Sequence, residues 1–196
     1  MKPKTRVRVI AITVLGVLGT VFMTALARRE TPKAATITDL NSTEPLKRRL
    51  QQDADKVTLI ALVSPVCPLC RQGFTDIQSV LKNVPDDRLR VHIVFLPMYP
   101  GDNRSRAQTR AEEFNDARVS YYWDGDKLTG QEWQKVLGIE SIAWDVYLLY
   151  GPNSYQNGSA AKPAFWMHQL EGVTKAPCLN KAEFESKIKE LLATLK

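Results

Sequence analysis

The stretch Val57–Ser64 (VTLIALVS) carries no charge, is rich in β-branched and aliphatic side chains, and stops abruptly at Pro65-Val66-Cys67-Pro68. A short apolar run without alternation reads as a strand buried on both faces. From Pro68 the period changes. Phe74, Ile77, Val80 and Leu81 follow at helical spacing, and the pattern ends near Asn83, before Pro85. A strand hidden on both sides needs a layer above it and a layer below it. This passage therefore points to an α/β fold.

The rest of the chain supplies those layers. At 44% hydrophobic and 24% charged it can build a core and lacks the composition of a disordered chain. Thr43-Glu44-Pro45 opens a short helix to about Asp53, with proline at an early position. Arg88–Leu96 reads as a second strand, in which Val91, Ile93 and Phe95 alternate with His92 and Val94. After the loop Pro97–Asn103 come a polar helix, Ser105–Asn115, and a short strand, Val119–Trp123. Thr129–Leu137 reads as a helix with Thr129 as N-cap and Glu132 completing a capping box. Trp144–Tyr150 and Ala164–Leu170 are strands joined through the turn signals Gly151-Pro152-Asn153 and Asn157-Gly158. Asn180–Leu195 is a closing amphipathic helix. Strands separated by helices predict a parallel core. The hairpin-length last connection predicts an antiparallel pair. The sum is a mixed central sheet with helices on both faces.

The start of the chain reads differently. Val9–Ala27 is a run of 19 uncharged residues, and at ~1.5 Å per residue a helix of that length spans roughly the bilayer hydrocarbon. Lys2, Lys4, Arg6 and Arg8 precede it, which keeps the N-terminus cytoplasmic and sends the rest across. Ala25-Leu26-Ala27 resembles a signal-peptidase site, but the run exceeds the usual ~7–15-residue signal core and Arg28-Arg29 come directly after it, which favours an uncleaved anchor. We expect residues 1–29 to be a hydrophobic membrane anchor or signal peptide, 30–42 a polar linker, and 43–196 one domain. The domain is expected outside the cytoplasm, periplasmic or at the cell surface, and secreted if the leader is cleaved. Disulfides persist there. The formal charge of +6 is matched by the six cations of residues 1–29, which contain no acid. The remainder is neutral. That excludes the basic stripe that nucleic-acid binding requires.

Cys67-Pro68-Leu69-Cys70 stands where the buried strand gives way to the helix. Unpaired backbone N–H groups and the helix dipole at such a place stabilise an anion, and so a nucleophilic thiolate. A cysteine one turn later lies within reach of the first. Such a dithiol can attack a disulfide, form a mixed disulfide and release it by internal attack. Pro68 costs nothing in the first turn, where its missing N–H would be unpaired anyway.

The passage SPVCPLCRQGFTDIQSVL resembles the active-site strand-to-helix passage of the thioredoxin superfamily, most nearly its extracytoplasmic, membrane-anchored branch. The element order is similar over roughly residues 44–196. The resemblance implies a thioredoxin-like fold, Cys67 as attacking thiol, Cys70 as resolving thiol, protein thiols or disulfides as partners, and no bound organic cofactor. Two features depart from it. Where the family places a proline facing the dithiol, Gly138–Trp144 offers Ala143 or Trp144, so Ala143, Trp144 and Asp145 are the candidates for a substrate loop. The buried acid that many members carry in the first strand has no counterpart in Val57–Ser64. Asp145 is the candidate for proton handling, with a capped or solvated acid as the alternative.

Other chemistries fit less well. A zinc site needs more ligands than the pair and one further cysteine supply. As a structural disulfide, so short a loop would add little stability. The rival of another class is a soft-metal binding or metallochaperone module, with Cys67, Cys70 and a histidine holding Cu(I), and an inert interaction module on the same fold is the third reading. Met167 and His168 are neighbours on a strand and point to opposite faces, so they do not share one ion. His92 and Trp166 are expected in the packing, and Trp123 and Trp144 either flank the dithiol or fill the core. Cys178 is expected as a small buried hydrophobe. A peroxiredoxin-type peroxidase would place a proline where Ile60 stands.

Overall fold

The computed structural model describes residues 35–155 and 161–195. The apolar run of residues 9–27, with its expected helix, lies outside them. Among the described residues no helix is long and apolar enough to cross a membrane.

The elements in chain order are β1 (Ile37–Asp39), α1 (Glu44–Gln52), β2 (Val57–Val63), α2 (Pro68–Asn83), β3 (Leu89–Phe95), α3 (Arg104–Glu112), β4 (Val119–Trp123), α4 (Leu128–Leu137), β5 (Val146–Tyr150), β6 (Phe165–His168) and α5 (Lys181–Ala193). One six-stranded sheet has the order β1-β4-β3-β2-β5-β6. β1, β4, β3 and β2 run parallel, in registers such as Val63 with Phe95. β5 is antiparallel to both β2 and β6. The expected mixed sheet is present.

Every residue of β2 is buried, as its unbroken apolar sequence requires of a central strand. Alternate side chains feed two cores. Leu59, Ala61 and Val63 pack with Phe74, Ile77 and Val80 of α2 and with Phe184 and Ile188 of α5. Ile60 and Leu62 pack with Leu46 and Leu50 of α1 and Trp133 of α4. Helices therefore cover both faces.

Three details correct the sequence reading. Residues 37–39, expected within the 30–42 linker, form edge strand β1, with Ile37 opposite Tyr121. Arg104 ties Asp39 down at 2.9 Å, and Gln108 donates to the Ala35 carbonyl. The start of α4 is not a Thr129–Glu132 capping box. Asp124 accepts from the Leu128 and Thr129 amides and from the Thr129 hydroxyl, at 3.0, 2.7 and 2.6 Å. Glu132 instead reaches across to Lys47 at 2.9 Å. β5 begins at Val146 rather than Trp144, because Asp145 takes a left-handed conformation, with φ of +50°, that no strand residue adopts.

Candidate active site

Cys67 is the N-cap of α2, with extended φ and ψ of −60° and 128°, and Pro68 opens the helix. This is the placement that the sequence predicts. Both cysteines are free thiols. Their exposure is less than free access would suggest: Cys67 is 3% exposed and Cys70 1%. By contrast Leu69, between them, is 55% exposed.

The turn before the helix is held by polar contacts invisible to periodicity. Ser64, the last polar residue of the β2 passage, accepts from the Cys67 amide at 3.1 Å and donates its hydroxyl to Asp102 at 3.0 Å. The Ser64 amide donates to the Cys70 sulfur at 3.4 Å. Asp102, in the loop after β3, also accepts from the Val66 amide and, through its other oxygen, from the Met98 and Tyr99 amides. Arg110 of α3 donates twice to the Pro65 carbonyl. One carboxylate thus joins the loop after β3 to the cysteine turn.

From the opposite side comes Asp145. One of its carboxylate oxygens and the sulfurs of Cys67 and Cys70 all lie within 4.8 Å of one another. Asp145 is 1% exposed. Its Oδ1 accepts from the Tyr147 hydroxyl at 2.7 Å and from Gln169 Nε2 at 3.0 Å. The same Gln169 nitrogen reaches the Leu69 carbonyl at 3.0 Å, so β6 is tied to the residue between the cysteines. Burial pushes the Asp145 carboxyl above the usual carboxylate range, against the opposing effect of Tyr147, Gln169 and Cys70. Burial, with the Asp145 charge second, also pushes the Cys70 thiol well above its ordinary value. A low-dielectric site disfavours both charged forms.

The three substrate-loop candidates separate. Asp145 lies at the sulfurs. Trp144 is part-buried against the core that contains both cysteines. Ala143 lies in the other core, its amide bonded to the Gly130 carbonyl of α4 at 3.0 Å. A Cβ at Gly130 would press on Ile142 and Leu96, so the glycine lets this loop sit close on α4. Trp123 also packs against the dithiol-side core.

Neither histidine joins the sulfur cluster, although His168 acts on the Asp145 charge. Leu170 N–H donates to His168 Nδ1 and the His168 Nε2 faces the Ala176 carbonyl, both at 3.0 Å. His92 sits between Asp53 and Tyr122. The third ligand expected for Cu(I) is thus absent among the described residues, and a carboxylate stands in its place. Met167 and Trp166 face opposite cores, as strand alternation requires. Cys178 is a correction: it is exposed rather than buried, because the segment 177–179 lies along β6, bridging His168. Sequence reasoning missed Asp102, Tyr147 and Gln169.

No protein-family model and no curated protein matches the chain. Solved structures do. A protein from Neisseria meningitidis assigned to the thioredoxins superposes with a TM-score of 0.52 at 16% identity, over 74% of this chain and 79% of its own. A secreted Mycobacterium tuberculosis disulfide oxidoreductase, homologous to E. coli DsbE, gives 0.48 at 11% identity over 72% and 86%. A thiol:disulfide interchange protein of the thioredoxin family from Chlorobium tepidum gives 0.47 at 13% identity over 73% and 84%. At such identities the likeness is one of fold, and the Neisseria structure carries it. The chain has a thioredoxin-like fold.

Proposed function

We propose that the protein is a thiol–disulfide oxidoreductase that exchanges disulfides with protein thiols outside the cytoplasmic membrane, tethered there by its N-terminal apolar run. The observation that carries this reading is the placement of two free thiols at the start of α2, within 4.8 Å of each other and of a buried carboxylate. Cys67 attacks and Cys70 resolves. Leu69 and Tyr99 are the exposed large hydrophobics among the described residues. One lies inside the motif, and the Asp102 contacts hold the other near it, which suits an unfolded or partly folded protein as partner. The leader supports the location: positive charge before an uncharged run of bilayer length directs the downstream chain across the membrane.

The test is twofold. The Cys67–Cys70 couple should titrate reversibly against a glutathione buffer, and its reduction potential gives the direction of the reaction. The reduced chain should also cleave the interchain disulfides of insulin, and Cys67→Ser should abolish this. Intact insulin, with no measurable couple, refutes the enzyme. A soft-metal reading retains one supporting observation, the close-set sulfur, sulfur and oxygen atoms. Cu(I) affinity unchanged by Cys67→Ser would remove it.

A further inference from the structure

We propose that Asp145 is the base that takes the proton from Cys70 when a mixed disulfide on Cys67 is resolved. The proposal rests on the exchange reading above and adds a catalytic residue to it.

Resolution needs Cys70 as a thiolate, yet Cys70 is 1% exposed and bulk water does not reach it freely. A base must therefore lie inside the protein. β2 beneath the cysteine turn offers none: its sequence is VTLIALV. Asp102 is taken up by Ser64 and three backbone amides. Asp145 is the acid whose carboxylate lies within 4.8 Å of both sulfurs. It enters from the loop ahead of β5, the strand paired with β2.

Its position is fixed from several directions. The left-handed backbone at Asp145 turns the chain, and its carbonyl accepts from the Gln169 amide at 3.0 Å. Tyr147 and Gln169 both donate to Oδ1. A carboxylate has about four acceptor sites, so capacity remains for the Cys70 thiol. The groups facing Asp145 are Cys67 and Cys70 at the start of α2, Tyr147 from β5, His168 at the end of β6 and Gln169 just after it. Burial raises both Cys70 and Asp145. A proton passing between them therefore stays inside one low-dielectric site.

The step balances in atoms and electrons. Cys67 Sγ is bonded to a substrate sulfur. Cys70 S–H gives its proton to Asp145. The Cys70 sulfur attacks Cys67 Sγ and the Cys67–Cys70 bond forms. The bond from Cys67 to the substrate breaks, and the substrate sulfur leaves with the electron pair. Asp145 returns the proton to that thiolate. The dithiol is oxidised by two electrons and the substrate disulfide is reduced by two.

The test uses the full chain carrying Cys178→Ala, which removes the exposed third thiol, with dithiobis(nitrobenzoate) as the probe disulfide. The first coloured thiolate reports attack by Cys67, and the second reports resolution by Cys70. Asp145→Asn suits the left-handed backbone, and its effect should fall on the second phase far more than on the first. It should slow the second about a hundredfold near neutral pH, the usual scale of general-base catalysis, with the gap closing as hydroxide replaces the base. Tyr147→Phe keeps the carboxyl but removes a bond that favours its charged form, so the pH midpoint of the second phase should rise. A second phase at the parental rate in Asp145→Asn, or an unmoved midpoint in Tyr147→Phe, overturns the assignment alone. No first phase in the parent overturns the exchange reading, and this assignment falls with it.

Discussion

A Cβ at Gly73 would overlap the Tyr147 hydroxyl and ring: the bare flank of α2 is what allows Tyr147 to lie beneath the helix and reach Asp145. In an open helix, Gly→Ala gains roughly 0.5–1 kcal/mol through backbone entropy. Here the overlap should reverse the sign. Tyr147 is fully buried and has no room to retreat without losing its 2.7 Å bond to Asp145. Gly73→Ala should cost about 1–3 kcal/mol, the range for overpacking, read as a lowered urea midpoint. A stabilised alanine variant would mean that Tyr147 does not occupy this space.

Asp102 should matter to activity although it lies well away in sequence from both cysteines. It accepts four hydrogen bonds that connect Ser64 and Val66 to Met98 and Tyr99. Asp102→Ala leaves those donors to water or unpaired, and should cost at least ~2 kcal/mol on the scale of bonds to charged groups. It should also slow the first exchange phase, because Ser64 orients the Cys67 amide. Urea unfolding and the rate of thiolate release check the two effects separately. Unaltered values for both would remove the link between this loop and the dithiol.

The passage from β2 to α2 was legible because two independent signals coincide there: an apolar run of strand length, and proline and cysteine at a change of period. Strand β1 was not, since three residues reading ITD carry no pattern and their partner, β4, is distant in sequence. The start of α4 shows a local rule overridden. Thr129 and Glu132 have capping-box spacing, but Thr129 is fully buried and bonded to Asp124, and Glu132 pairs with Lys47 on α1. The partners of the dithiol behave alike. Tyr147 lies on β5, Asp145 just before it and Gln169 just after β6, and the antiparallel register of those strands brings them to Leu69. Nothing in their local sequence announces it.

The raised Asp145 carboxyl carries a stability signature with a definite sign. Burial lifts it above its ordinary 3.8, so the folded chain holds this proton to higher pH than the unfolded chain. Between the two values the native state binds more protons, and stability falls as pH rises. Above the raised value the whole deficit is present. Asp145→Asn removes the ionisation and keeps an acceptor for Tyr147. It should therefore be the more stable protein at alkaline pH, with the difference shrinking as pH falls toward 3.8. Urea unfolding across that range checks it. A difference independent of pH would mean that Asp145 is not buried as a carboxyl.

His92 should dominate acid sensitivity from the far side of the sheet. It is fully buried, with Nδ1 3.4 Å from the Tyr122 hydroxyl and Nε2 3.8 Å from Asp53. Nε2 has no hydrogen-bond partner. Burial drives its pKa from 6.5 down to about 4; Asp53 opposes this, while Arg49 and Arg90 add to it. The unfolded chain thus takes up a proton that the folded chain resists. Stability is fully present above 6.5 and is lost as pH falls through the window toward 4. A shift of this size corresponds to roughly 3 kcal/mol. Burial works against ionised Asp53, but Lys56 and Arg49 hold its carboxyl below its ordinary 3.8, so it titrates beneath that window. His92→Gln leaves an acceptor for Tyr122 and cannot ionise. Unfolding free energies measured at both ends of the window should differ far less in this variant than in the parent. An equal acid loss in the two proteins would place the sensitivity elsewhere.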